Sequence, residues 1–144
     1  MSEQTIAIAS DHAGVELKGM VKAELEAMGH VVLDLGPDGA ESVDYPDYAN
    51  ALAAALDDGR AGRGVLICGT GIGISIAANR HRHIRAALCH DGTSARLARA
   101  HNDANVLALG ARLIGAEVAK ECIHAFFTTS FEAGRHARRV GKLN

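Results

Sequence analysis

Short apolar runs alternate with amphipathic stretches along this chain of 144 residues, and this alternation limits the fold more than any other feature of the sequence. Each run is five or six residues long and shows little alternation between polar and apolar positions. Such runs are typical of strands that are buried on both faces of a parallel sheet. The predicted strands are 5–10, 31–35, 64–68, 84–88 and 104–109.

Helical patterns lie between these runs. Leu17, Val21, Leu25 and Met28 recur at three- and four-residue spacing and predict one apolar helix face, which Gly29 ends as a C-cap. A second helix is predicted at 49–56, with Pro46 in the preceding first turn. Further helices are predicted at 72–79, 93–100 and 116–127.

This order of strands and helices predicts an α/β fold. The expected architecture is a Rossmann-like, three-layer α/β/α sandwich with about five parallel strands. The length fits one domain over residues 1–144. A hydrophobic fraction of 48% with 22% charged residues excludes a disordered chain.

Charge and cysteine content point to a protein of the cytoplasm. A net charge of −2 gives no general reason to expect binding to nucleic acid or to a membrane surface. The first residues lack the basic and apolar regions of a signal peptide, and no apolar run approaches the ~20 residues of a membrane span. Three widely spaced cysteines suit neither a disulfide framework nor a CxxC metal motif.

Ligands of such folds collect at the carboxyl ends of the strands. The segment 68–73, Cys-Gly-Thr-Gly-Ile-Gly, leaves the third strand and enters a helix. Its alternating glycines let backbone N–H groups face one point, and the helix adds its positive end, so the loop predicts a cradle for a phosphate or an oxyanion. The alternative is a tight turn that needs glycine for its geometry alone.

A dinucleotide site is a less favoured alternative for this loop. Asp91 follows about 20 residues later, where a ribose-binding acid would lie. However, Ile74 stands where the GxGxxG fingerprint needs its third glycine. The chain also leaves little room for a substrate domain.

Three further groups at the strand ends are candidates for chemistry or for structure. Cys68 lies beside the cradle and is a candidate base, nucleophile or redox sensor, although a free cysteine is often a small buried apolar residue. Burial is the favoured role for Cys89 and Cys122. Asp11 and His12 open the first helix, where Asp11 is either an N-cap or, with His12, part of a polar floor for a ligand.

His101 and Asn102 precede the last strand and therefore belong at the amino edge of the sheet, away from Cys68 of the same chain. A histidine there interacts by default with the C-terminal end of a helix. If His101 is catalytic, it serves a site built with a second subunit. This geometry is a reason to expect an obligate oligomer.

Basic residues near the end of the chain suggest a phosphate clamp. Arg135 and Arg139 are four residues apart and would share a helix face, which suits bidentate binding of phosphate. The alternative is a solvated tail. His81 and His83 are interpreted as surface residues and not as metal ligands, because residues two apart point together only on a strand and no carboxylate is nearby in the sequence.

Five segments of the chain can be considered together. They are Ser-Asp-His-Ala-Gly at 10–14, Asp-Tyr-Pro-x-Tyr-Ala at 44–49, Cys-Gly-Thr-Gly-Ile-Gly-Ile-Ser-Ile-Ala-Ala-Asn at 68–79, His-Asn-Asp-x-Asn-Val-Leu at 101–107 and Gly-Arg-His-x-x-Arg-Val at 134–140. Together they closely resemble the ribose-5-phosphate isomerase B family, which also contains allose-6-phosphate and galactose-6-phosphate isomerases. The resemblance runs in order and without large gaps from about residue 6 to residue 140.

The resemblance implies a role for each matching position. It makes Cys68 the base that moves a proton between C2 and C1 of the open-chain sugar, and His101, assisted by Asp11, the group that opens the furanose ring. Ile74 stands where some family members carry a glutamate, which leaves Cys68 as the matching base. The implied enediolate cradle is Thr70 with the backbone N–H groups of Gly69, Gly71 and Gly73. The implied substrate contacts are His12, Arg135 and Arg139 at the phosphate, with Tyr45, Ile72, Asn102 and Arg112 at the rest of the sugar.

The sequence therefore predicts an aldose–ketose isomerase that interconverts ribose 5-phosphate and ribulose 5-phosphate in pentose phosphate metabolism, without a cofactor or a metal. The resemblance also implies a homodimer, or a tetramer built from it, with the site between subunits. The same chemistry on a six-carbon sugar phosphate is a close alternative, which the depth of the pocket would decide. A non-catalytic phosphosugar-binding subunit and a redox sensor at Cys68 are alternatives of other classes.

Overall fold

The computed structural model of this chain describes residues 5–143, which form five strands and six helices. The strands are β1 (Thr5–Ser10), β2 (Val31–Asp34), β3 (Arg63–Cys68), β4 (Ala86–Leu88) and β5 (Val106–Gly110). The helices are α1 (Val15–Ala27), α2 (Tyr45–Asp57), α3 (Ile72–Ala78), α4 (Gly92–Asn102), α5 (Ala116–Thr128) and α6 (Arg135–Gly141). A 3-10 turn at His12–Gly14 precedes α1.

The five strands pair in the order β2-β1-β3-β5-β4, and every pair is parallel. The predicted α/β, Rossmann-like fold is confirmed, and the structure supplies the strand order that the sequence left open. From β1 the chain goes first to one side, to β2, and then to the other side, to β3. The carboxyl ends of β1 and β3 therefore flank a topological switch point, where ligands of open α/β sheets bind.

Helices cover both faces of the sheet, as the three-layer prediction requires. On one face, α1, α4 and α5 pack on side chains such as Ile8, Ile67 and Leu109. On the other face, α2 and α3 pack on Leu66 and Ala108. Cys68 follows Ile67 in β3 and therefore faces the α2–α3 layer.

The ends of several elements differ from the prediction by one to four residues. The strand β4 begins at Ala86 because the Arg85 N–H donates to the Asn105 side chain, 2.7 Å away, before the ladder starts. The strand β5 begins at Val106 because the left-handed residue Asp103, with φ of 48°, first ends α4. Gly29 follows α1 at φ of +93°, which agrees with its predicted capping role.

Candidate active site

Cys68 is the last residue of β3, and its sulfur lies inside the turn of the glycine loop. Its side chain is buried, with 4% exposure, and the Gly71 N–H donates a hydrogen bond of 3.1 Å to Sγ. Gly71 has φ of +77°, a left-handed conformation that turns its N–H back toward the sulfur. This hydrogen bond fixes the position of the sulfur within the glycine loop.

The glycines of this loop admit two polar side chains from elsewhere in the chain. A Cβ atom at Gly73 would lie 2.6 Å from Cζ of Tyr45, and one at Gly69 would lie 3.2 Å from a guanidinium nitrogen of Arg112. Tyr45 begins α2 and Arg112 follows β5. The fold thus brings the predicted sugar contacts Tyr45 and Arg112 onto the predicted cradle.

Thr70 lies exposed on the same loop. Its Oγ1 accepts the Ile72 N–H at 3.2 Å, so this N–H is already used within the loop. The backbone N–H of Arg112 donates to the Gly69 carbonyl at 2.9 Å, which ties the loop to the segment after β5. The loop is therefore held by one backbone hydrogen bond from Arg112 and by one hydrogen bond to the Thr70 side chain.

Asp11 and His12 lie next to this loop, at the end of β1. The Asp11 carboxylate accepts the Ala13 N–H at 3.0 Å, which confirms its predicted N-cap role, and its own N–H donates to the Ile67 carbonyl of β3. The Nδ1 atom of His12 accepts the Val43 N–H at 3.1 Å. In its neutral form this ring therefore carries its proton on Nε2, which is the atom left to donate to a ligand.

The structure brings a second group of predicted residues together at the opposite edge of the sheet. His101 and Asn102 end α4 just before β5 begins, whereas Cys68 pairs with Gly110 at the end of β5. A strand of five residues separates the two edges by ~13 Å. His101 and Cys68 of one chain therefore do not share a site.

The helix α6 carries Arg135 and Arg139, both exposed, and packs its His136 ring on His101. The two ring centroids are 4.2 Å apart at an interplanar angle of 12°. Burial, followed by the neighbouring His101 and Arg135, lowers the pKa of His136. Glu132 Oε1 lies 3.7 Å from Nε2 of both rings.

Neither His136 nor Glu132 is among the site residues predicted from the sequence. The pairing of His136 with His101 joins residues 35 positions apart, and no spacing rule indicates it. Among residues 5–143, the structure also makes His101, Glu132 and His136 a group whose ligand atoms lie within 4.8 Å of one another.

His81 and His83 contact α2, and the two other cysteines lie in the core. Nε2 of His81 lies 2.8 Å from Oδ1 of Asn50, and Nε2 of His83 lies 2.7 Å from the Ala53 carbonyl. Both histidines are thus half-buried against α2, which the interpretation as free surface residues did not anticipate. Cys89 and Cys122 are buried as expected, and burial raises the pKa of both thiols, for Cys122 to about 12.

No helix in the described part of the chain is both long and apolar enough to cross a membrane.

Comparison with known proteins identifies the class of enzyme to which this fold and its glycine loop belong. Residues 6–143 match the family model described as Ribose/Galactose Isomerase. The chain belongs to this family and is an isomerase. The resemblance identified in the sequence is therefore confirmed.

Individual proteins of known name are similar to this chain over nearly its whole length. The chain is 47% identical to ribose-5-phosphate isomerase B of Escherichia coli, over 94% of this chain and 91% of that protein. It is 48% identical to D-erythrulose-4-phosphate isomerase of Pectobacterium atrosepticum, over 96% of this chain and 92% of that protein. The crystal structure of a ribose 5-phosphate isomerase from Thermotoga maritima superimposes with a TM-score of 0.94 at 54% identity, over 96% of each chain.

Proposed function

We propose that this isomerase interconverts ribose 5-phosphate and ribulose 5-phosphate through an enediolate, with Cys68 as the base. The observation that carries the proposal is the contact of 3.1 Å between Sγ of Cys68 and the Gly71 N–H, inside a loop that Tyr45 and Arg112 border. A base and hydrogen-bond donors for a developing oxyanion are the two requirements of this chemistry. The names of the Escherichia coli and Thermotoga maritima relatives support the choice of substrate.

The proton transfers balance without an oxidant. The Cys68 thiolate removes the proton from C2 of the open-chain aldose, and the electron pair moves through C1 to the carbonyl oxygen, which gives the enediolate. The proton of the C2 hydroxyl passes to the C1 oxygen, and the thiol returns the proton that it took from C2 to C1 as the C2 oxygen becomes a carbonyl. Since the Gly71 N–H is directed at the sulfur, Thr70 and the other donors of the loop are proposed to hold the oxygens.

We infer that the working site belongs to a homodimer. Proton transfer needs heavy atoms about 3 Å apart, and His101 lies at the far edge of its own sheet from Cys68. A second copy would supply His101 and Asn102 for ring opening and sugar contact, and Arg135 and Arg139 beside His12 for the phosphate.

The surface around the glycine loop supports this assembly. Ile72 and Ile76 are 48% and 52% exposed on one face of α3, and Tyr45 is 39% exposed. Exposed apolar groups gathered beside a site are typical of an interface.

We also propose that the enzyme works in the cytoplasm in pentose phosphate metabolism, as one catalytic domain over residues 1–144 and without a cofactor. The supporting observations are three free cysteines, a net charge of −2 and a proton-transfer reaction that needs only side chains and backbone donors.

The first experiment measures turnover of ribose 5-phosphate, with a chelator present, by the parent protein and by Cys68→Ala. We expect a robust parent rate and a loss in kcat of about 10²–10⁴-fold in the variant, since a positioned base contributes that much. The matched control is Cys89→Ala, which also removes a buried thiol but from the core cluster on the other face of the sheet, and should keep near-parent activity. A parent protein inert on ribose 5-phosphate, or a Cys68→Ala variant that remains active, would contradict the proposal.

Other chain lengths of the sugar remain a second candidate, because a relative at 48% identity is named for a four-carbon sugar phosphate. The measurement compares kcat/KM for ribose 5-phosphate, erythrulose 4-phosphate and allose 6-phosphate. One hydroxymethyl group is worth about 1–3 kcal/mol in many pockets, so we expect the five-carbon substrate to lead by about tenfold or more. A higher kcat/KM for erythrulose 4-phosphate or for allose 6-phosphate would make that compound the assigned substrate.

A further inference from the structure

Three ionisable groups meet on the surface at the end of α4, apart from the glycine loop. His101 is half-exposed on α4, His136 is buried on α6, and Glu132 lies in the segment between α5 and α6. The Glu132 N–H donates to the Ala100 carbonyl at 2.9 Å, which holds this residue beside His101. The grouping is thus set by backbone as well as by side-chain contacts.

The donor set of two imidazoles and a carboxylate would suit zinc, but the ring geometry favours a shared proton. A metal ion lies close to the plane of each imidazole that binds it, along the lone pair of the ring nitrogen. Rings stacked at 4.2 Å and 12° are nearly parallel, and no point between them lies in both planes. The same stacking leaves both Nε2 atoms near Glu132, each at 3.7 Å.

Two imidazoles at this separation take up protons as a coupled pair, because the first charge opposes the second. The charged groups that face His136 are His101 from α4, Glu132 from the preceding segment, and Arg135 and Arg139 from its own helix. Burial and the two arginines keep the proton off His136. The Glu132 carboxylate lies at the same distance from both rings, and His101 is the more exposed of the two.

We propose that His136 and Glu132 are positioning residues that keep one proton on His101. This inference rests on the proposed function, in which His101 opens the furanose ring. In that step protonated His101 donates to the ring oxygen as the bond from C1 to that oxygen breaks, and Asp11 of the other subunit accepts the proton of the anomeric hydroxyl as the C1 carbonyl forms. Neutral His136 stacks on the imidazolium and fixes its plane, while Glu132 favours the charged form.

The test follows the pH dependence of kcat/KM on ribose 5-phosphate together with NMR titration of the histidine rings in the free enzyme. The variants are Glu132→Gln, Glu132→Asp and His136→Asn, with Glu26→Gln as a control that removes an exposed carboxylate from α1. We expect Glu132→Gln to shift the midpoint of the His101 titration by about half a pH unit toward acid, which is the size that a half-exposed ion pair permits. The limb of the pH profile that follows this titration should shift by the same amount. This shift corresponds to about a threefold loss of rate on that limb.

Glu132→Asp should recover part of the shift, and Glu26→Gln should cause none. In His136→Asn, the His101 ring should titrate in a single uncoupled step. An unchanged His101 titration in both Glu132→Gln and His136→Asn would overturn the inference even if the enzyme turns over ribose 5-phosphate. A parent titration that changes on addition of chelator would overturn it in favour of a bound metal. Coupled titration in a protein inert on ribose 5-phosphate would instead overturn the proposed function and, with it, the role in ring opening.

Discussion

Gly71 shows how one residue combines a conformational and a chemical requirement. Its backbone is left-handed, with φ of +77°, and a Cβ atom there would lie 2.5 Å from Cδ1 of Leu88 and 2.9 Å from the Leu109 carbonyl carbon. Its N–H is the donor to Sγ of Cys68. Any side chain at this position must therefore move either the sheet or the donor.

We expect Gly71→Ala to lower the free energy of unfolding by about 1–3 kcal/mol, through backbone strain and overpacking. Isomerase activity should fall more than stability accounts for, because the donor to Cys68 is displaced. The measurements are urea unfolding and initial rates on the folded protein.

The matched control is Gly19→Ala, on an exposed position of α1 with open space around its Cα. It should stabilise the protein by up to about 1 kcal/mol, since alanine is the better helix former. A Gly71→Ala protein as stable and as active as Gly19→Ala would contradict the account of the loop.

At the scale of the elements, a buried ion pair joins α1 to the end of β2. Nζ of Lys18, with only 4% of the residue exposed, lies 2.7 Å from Oδ1 of Asp34, which also accepts the Gly36 N–H. Burial alone would raise the pKa of Asp34, but the hydrogen bonds from Lys18 and Gly36 outweigh it and hold the pKa below its ordinary value. Its contribution to stability is therefore complete above the unfolded-state pKa, near 4.

We expect Asp34→Asn to cost about 3 kcal/mol at pH 7, because it leaves the Lys18 charge buried without its partner. The difference from the parent should shrink as the pH falls through the lowered folded-state pKa, where Asp34 of the parent is itself protonated. Unfolding by urea between pH 7 and pH 3 measures this. Asp58→Asn, which breaks an exposed pair with Arg60, should change stability by less than about 1 kcal/mol at every pH; an equal effect of both variants would contradict the prediction.

The prediction of elements succeeded where burial on both faces of the sheet leaves a strong pattern. The runs of β1, β3 and β5 are apolar because helices cover both of their faces, and the sequence located each within two residues. The strand β4, at the edge of the sheet, was predicted two residues too long. Its apolar run continues through Ile84 into a loop, and only the Arg85–Asn105 hydrogen bond marks where pairing begins.

At the scale of the whole molecule, the separation of Cys68 from His101 leads to a test of the proposed site between two subunits. Cys68→Ala and His101→Ala should each be inactive alone. Hybrid dimers of the two variants would contain one site with both residues intact and one with neither.

We expect co-expressed and randomly mixed subunits to recover about a quarter of the parent activity, since half of the dimers are hybrids with one of two sites restored. Hybrids purified with two different tags should reach about half. An inactive purified hybrid would place Cys68 and His101 in different sites and contradict the proposed homodimer. Mixing Cys68→Ala with Cys68→Ala carrying the second tag is the matched control, because no intact site can form.

The sequence by itself determined the layered parallel sheet, the positions of its strands, the glycine loop after Cys68 and the family. These features follow from local periodicity, from glycine spacing and from short motifs, all of which can be read along the chain. The roles of the individual site residues remain predictions.

The tertiary structure decided which distant residues meet. It set the strand order, placed Tyr45 on Gly73 and Arg112 on Gly69, and stacked His136 on His101 beside Glu132. These contacts depend on how helices pack across the sheet, and no spacing along the chain specifies which helix reaches which loop. The chemistry proposed for the glycine loop therefore begins in the sequence, whereas the pairing proposed to control His101 exists only in the folded molecule.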